Sequence, residues 1–259
     1  GVSSAASDVY KRQNMRTVTF HKQDIHRGYL ILINHDYPLS YQPKLYEYQG
    51  FLMERSVIAL LKELLSKVDL HNELTLVSSY RSFQEQEILY QTSLKENGEL
   101  FTKQYVAYPH HSEHQSGLAF DIAIKSPHID FIRPHFPATG TSLLFQENAY
   151  RYGFIQRYQR DKEDITQIAE EPWHFRYVGI PHSYIIHEKN WCLEEYINNI
   201  KDYSIFNPFH YHIENQFFSL FYVPIKNDSI TLQLMDDAFY QVSGNNVDGL
   251  ILTAWRSYV

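Results

Sequence analysis

The chain has 259 residues, 44% of them apolar, with 21 Tyr, 16 Phe and a formal charge of −7; this is too apolar and aromatic for a disordered chain and ample for a real core. Its 30 acidic against 23 basic side chains give no reason to expect a polyanionic partner, so nucleic-acid binding is disfavoured. The one cysteine, Cys192, excludes an internal disulfide and a cysteine-rich metal knuckle, so any metal must be held by His and carboxylates.

Residues 1–14 carry no periodicity, precede Met15, and read as a non-native or disordered leader. The early apolar run Tyr29–Ile33 ends at Asn34-His35-Asp36, far short of a signal core or a span of about 20 residues. The expectation is a cytoplasmic protein without a membrane span. From Phe51 to Leu70, Leu52, Val57, Leu61, Leu64, Leu65 and Val68 recur mostly at three- and four-residue steps and predict an amphipathic helix. Leu74–Tyr80 (LTLVSSY) predicts a strand that opens into Arg81-Ser82, and Gln84–Glu96 a polar helix ending before Asn97-Gly98. Arg81 therefore falls at a strand-to-helix junction.

Gly117–Ile124 (GLAFDIAI) alternates with period two, so Leu118, Phe120, Ile122 and Ile124 share one face and Asp121 the other, between Ala119 and Ala123. Lys125–Thr141 has three prolines and no consistent period, which suits a lid. A helix is expected over 142–152, stopped by Gly153, then a strand over 154–158 and another over Glu171–Gly179, with helices over 181–189 and 191–200. Beyond Ile200 the pattern turns to strands at 216–225, 230–234 and 247–255, with Lys226-Asn227-Asp228-Ser229 as a hairpin turn. The expected division is a mixed domain over 15–202 and a small β-rich piece over 203–259.

Two segments concentrate metal-ligand chemistry: Ser112-Glu113-His114-Gln115-Ser116-Gly117-Leu118-Ala119-Phe120-Asp121, and Glu171-Pro172-Trp173-His174. Enzymatic zinc typically takes three N or O ligands and leaves a fourth position for water, a set that His114, Asp121 and His174 supply. In a helical H-E-x-x-H segment the glutamate beside a ligand histidine is a general base. Pro172 disfavours a helix here, so Glu171 is expected to stand beside the metal from an extended or turn segment without ligating it. Water activation by zinc with proton transfer by Glu171 is amide hydrolysis, and Arg81 is the candidate for stabilising the developing oxyanion. His110-His111 and His210-x-His212 also look like ligands but read as ordinary loop and strand residues.

At these residues the chain resembles the zinc D,D-peptidases of the VanX and VanY type, with signatures S-x-H-x-x-G-x-A-x-D and E-x-W-H, here SEHQSGLAFD and EPWH. The resemblance extends through SYRSFQEQ, SLKENGELFTKQYVA, YGFIQRY and EPWHFRYVG, covers about Tyr29 to Tyr196, and is closest to the bifunctional VanXY enzymes of vancomycin resistance. It implies an α+β fold with a central antiparallel sheet, one zinc held by His114, Asp121 and His174, Glu171 as base, and Arg81 as oxyanion stabiliser. Ser112 and Gln86 fall where such enzymes contact substrate. The implied activity is cleavage of D-Ala-D-Ala and removal of the terminal D-Ala of the peptidoglycan precursor pentapeptide. The rival readings are an L,D-carboxypeptidase or other muropeptide peptidase, and a non-catalytic zinc-stabilised binding module; retention of Glu171 and Arg81 argues against the second.

Overall fold

The structure, a computed structural model, describes residues 14–256; apart from Asn14, the leader expected over 1–14 lies outside the described residues. The first described element is β1 (Met15–His21), which the sequence left unassigned. After the buried run Leu30–Ile33, a small ribbon of β2 (Tyr46–Tyr48) and β3 (Phe51–Met53) leads into α1 (Arg55–Val68). That helix buries Val57, Leu61, Leu64 and Val68, one apolar stripe of the expected period, whereas Leu52 stays exposed in β3.

Next come β4 (Leu74–Ser78), α2 (Phe83–Asn97) and α3 (Glu99–Tyr105), the last unforeseen. A capping box starts α2: Ser82 Oγ accepts from the Glu85 backbone N–H, and the Glu85 carboxylate accepts from that of Ser82. A 2.7 Å hydrogen bond between the hydroxyls of Ser93 and Thr102 ties α2 to α3. Then follow β5 (Ala119–Ile124), α4 (Gly140–Asn148), β6 (Phe154–Tyr158), the short α5 (Glu163–Thr166), β7 (Glu171–Tyr177), α6 (His182–Lys189) and α7 (Leu193–Ile200). Gly153, in the left-handed region at φ 84°, ends the turn after α4 as expected.

The sheet of this part runs β4-β5-β7-β6, antiparallel throughout. Its register decides the chemistry. Phe120 lies opposite Phe175, and the next pair is Asp121 opposite His174. Directly opposed residues share a face and neighbours alternate, so the two phenylalanines turn to one side and the two polar groups to the other. On the apolar side Phe120, Phe145, Phe154 and Phe175 pack with ring centroids 4.8–6.4 Å apart.

The remaining strands are β8 (Phe209–Ile213), β9 (Gln216–Pro224), β10 (Ser229–Met235), β11 (Phe239–Gly244) and β12 (Gly249–Trp255). They form a sheet of order β11-β12-β9-β8, with β10 pairing β1 instead. The expected hairpin over 226–229 is therefore corrected: the segment joins β9 to β10, but each strand finds a different partner. The division over 15–202 and 203–259 also changes. Among the described residues, 14–31 and 199–256 form one compact unit and 32–198 the other, because β1 supplies the partner that β10 needs. The core of the first unit gathers Ile25, Phe221, Val223, Ile225, Leu234, Leu250 and Leu252, with Val18 and Phe20 packed against it. No described helix is long and apolar enough to cross a membrane.

Candidate active site

The polar side of the four-stranded sheet carries a cleft, and each group in it is placed by a specific departure from regular structure. Between Leu76 and Ser78 the β4–β5 ladder slips by one residue, which sets Ser78 opposite Asp121 and turns the chain toward Arg81. The turn Glu113–Ser116 ends at Gly117, left-handed at φ 70°, where an added Cβ would meet Leu45 Cδ2 at 2.6 Å. Glycine there lets His114 fold back over the strand that bears Asp121.

On β7 the ladder to β6 pairs Gln156 with Phe175 and Tyr158 with Glu171, so Pro172 and Trp173 are accommodated by a bulge. In a regular strand, residues three apart face opposite ways. The bulge returns Glu171 to the side of His174, and its carboxylate stands 3.9 Å from His174 Nδ1.

His114, Asp121 and His174 are all buried and each offers a ligand atom, the three lying within 4.8 Å of one another. His114 Nε2 is 3.2 Å from Asp121 Oδ2, and His174 Nδ1 is 2.9 Å from Asp121 Oδ1. His114 Nδ1 lies 2.7 Å from the carbonyl of Ser79, which can only accept, so Nδ1 carries the proton and Nε2 keeps its lone pair. Two imidazole nitrogens and one carboxylate suit zinc with a position left open. The electrostatics agree: burial disfavours a charge on His174, yet hydrogen bonds to Asp121 and Glu113 and the nearby Glu171 push it up to about 10. Burial alone would raise the Asp121 carboxyl, but the two histidines hold it well below the usual range.

Glu171 is pushed up to about 8, first by burial and further by Asp121 and Glu113, against the pull of His174 and Arg81. Arg81, at the junction between β4 and α2, donates through Nη2 to Ser78 Oγ at 2.8 Å and through Nη1 to Gln86 Oε1 at 2.7 Å. Burial lowers its guanidinium, while Asp121 and Glu171 favour its charge. Ser112 and Gln86 both line the cleft. Gln86 is nevertheless spoken for at both ends, since its Nε2 donates to the Ala107 carbonyl at 2.7 Å; it holds Arg81 rather than reaching outward.

From the expected lid, Phe131 and Ile132 line the cleft, and the Phe131 ring lies 5.6 Å from the Arg81 guanidinium. The later part of that segment is anchored: Phe136 is buried against Phe145 and Phe175, and Ile124 N–H donates to the His135 carbonyl. The other histidines are occupied locally. His110 stacks on Phe83, His111 Nδ1 meets the Asn34 carbonyl, and His210 meets the Ser219 hydroxyl.

The sequence reading missed Glu113, Arg157 and Arg176, all fully buried. Burial alone would raise the Glu113 carboxyl, but Arg176 and Arg157 hold it well below the usual range. A signal existed: arginines within the strand segments FIQRY and HFRY are buried only with acidic partners.

With this geometry in place, the comparisons are specific. The sequence profile of the VanY family, D-alanyl-D-alanine carboxypeptidase, matches residues 51–180. The chain is 48% identical over 136 residues to the bifunctional D-Ala-D-Ala dipeptidase and D-Ala-D-Ala carboxypeptidase VanXYC of Enterococcus gallinarum, covering 52% of this chain and 72% of that one. The crystal structure of the vancomycin-resistance D,D-dipeptidase VanXYg in complex with a D-Ala-D-Ala phosphinate analogue matches with TM-score 0.92 at 44% identity, over 94% of this chain and 100% of that chain. A mutant of the vancomycin-resistance D,D-pentapeptidase VanY in complex with Zn(II) matches with TM-score 0.58 at 32% identity, over 66% and 99%. The profile covers the whole stretch from β3 through the strand bearing Glu171 and His174, and the chain belongs to the VanY family of D-alanyl-D-alanine carboxypeptidases.

Proposed function

We propose that the chain is a zinc D,D-peptidase that splits D-Ala-D-Ala and removes the terminal D-Ala from the peptidoglycan precursor pentapeptide. The observation that carries this reading is the convergence of His114, Asp121 and His174 with Glu171 and Arg81 in one cleft. Relatives named as D-Ala-D-Ala dipeptidases and carboxypeptidases support the same substrate class. His114 would hold the metal through Nε2, His174 through Nδ1 and Asp121 through its carboxylate. Bound zinc supplies Lewis acidity, which activates water and polarises the scissile carbonyl.

The chain's own groups do the rest. Glu171 accepts the proton that the attacking water loses as its oxygen bonds to the carbonyl carbon, then delivers it to the amine nitrogen as the C–N bond breaks. Arg81 faces the oxygen on which negative charge develops, and its hydrogen bonds to Ser78 and Gln86 fix it there beforehand. Ser112 and Phe131 contribute to the walls that receive the peptide.

The test is mass-spectrometric product analysis of zinc-loaded protein given D-Ala-D-Ala, the pentapeptide and the tetrapeptide. Free D-Ala from the first two and no cleavage of the third is expected. Cleavage of the tetrapeptide alone would replace this reading with that of an L,D-carboxypeptidase.

A further inference from the structure

We propose that Glu113 is a positioning residue for His174: clamped by two buried arginines, it keeps the proton of the imidazole on Nε2 and so presents Nδ1 to the metal position. The inference rests on the zinc reading above. Glu113 is 1% exposed. Its Oε1 accepts from Arg157 Nε at 2.8 Å and from Arg176 Nη1 at 2.6 Å. Arg157 is itself held by Glu194, through Nη1 at 2.8 Å and Nη2 at 2.6 Å, and Asn34 Nδ2 donates to Glu194 at 3.1 Å.

These bonds consume Oε1 and leave Oε2 turned toward His174, 3.5 Å from Nε2. An ionised carboxylate can only accept, so the ring nitrogen facing it must bear the hydrogen. Nδ1 faces the Asp121 carboxylate at 2.9 Å, on the side where the other candidate ligand atoms gather, so a metal there would take the place of the Nδ1 proton while Glu113 holds the one on Nε2. The second oxygen, aimed at the ring, is what a partner orienting a metal-bound histidine requires.

The decisive variant is Glu113→Gln. Because both guanidiniums donate to the same oxygen, glutamine must turn its carbonyl to them and its amide N–H toward Nε2. That reverses the demand on the ring, which places its proton on Nδ1 and blocks it as a ligand. Zinc affinity, measured by chelator competition, is expected to fall about 10–100-fold. The two-bond ¹H–¹⁵N spectrum of the zinc-loaded protein should lose the Nε2–H pattern of His174. Glu113→Asp, which keeps the charge between the arginines but withdraws it from the ring, should weaken zinc to a smaller extent, and carries the same readouts if the Gln variant does not fold.

Wild-type zinc affinity in the Gln variant would overturn the proposal. Weakened zinc with the Nε2–H pattern intact would also overturn it, by tracing the loss to packing. A wild-type chain without stoichiometric zinc would overturn the metal reading itself, so the two failures are distinguishable.

Discussion

Glu171 and Arg81 line the same cleft as the candidate ligands, and each proposed task has its own test. If Glu171 moves the proton, Glu171→Gln keeps zinc stoichiometry in elemental analysis while kcat on D-Ala-D-Ala falls by about 10²–10⁴. Unchanged turnover would remove it from the mechanism. Arg81→Ala should lower kcat by about 10²–10³, the scale of one lost oxyanion donor. Gln86 is bonded to Arg81 and to the Ala107 carbonyl, so Gln86→Ala should act through Arg81. In a double-mutant cycle, Gln86→Ala is then expected to cost kcat in the wild type and little in the Arg81→Ala background. Equal costs in both would return Gln86 to direct substrate contact, the role the family resemblance implied.

At the level of elements, the site depends on irregularities that regular strands would not supply. The bulge at Pro172-Trp173 brings Glu171 beside His174, and the slip after Leu76 carries the chain toward Arg81. The segment over 125–141 is held at Phe136, which is buried, while Phe131 is 48% exposed and lines the cleft. A tip over the cleft selects peptide length without touching the ligands. Phe131→Ala should therefore shift the ratio of pentapeptide to dipeptide kcat/KM by several-fold with zinc content unchanged. An unaltered ratio would exclude the tip from substrate selection.

For the molecule as a whole, every proposed ligand and catalytic group lies within 32–198, and the other unit is closed by the pairing of β1 with β10. Val18, opposite Leu232 and packed on that unit's core, is a clean point of attack. Val18→Asp should lower the melting temperature of the unit by burying an unpaired charge, yet leave dipeptide turnover detectable in folded protein. Loss of activity without loss of fold would mean that the terminal unit takes part in catalysis. Acid stability has an identifiable contributor in His182, fully buried, bonded through Nδ1 to the Tyr196 hydroxyl at 2.5 Å, and lowered by burial from 6.5 to about 3. Between those values the unfolded chain binds the extra proton. As pH drops from 6.5 toward 3, this group therefore lowers stability by up to ~1.4 kcal/mol per pH unit. Denaturant titrations of the wild type and His182→Gln from pH 7 to 4 should show a shallower pH slope in the variant.

The sequence by itself marked several local elements and the candidate reactive residues. Period-two alternation in GLAFDIAI separates Phe120 from Asp121, the three- and four-residue steps after Arg55 make a buried stripe, and Gly153 ends its turn, because these are properties of neighbouring residues. The concentration of His, Asp and Glu in two short segments likewise named the ligand candidates. Only the tertiary structure decided what meets across long separations. Alternation sorts faces but cannot choose partners, so the pairing of β1 with β10 and the opposition of Asp121 to His174 had no local signature. The same holds for Glu113. The sequence gives Glu113 no role of its own, because burying that carboxylate beside His114 is tolerable only once arginines from distant strands close on it.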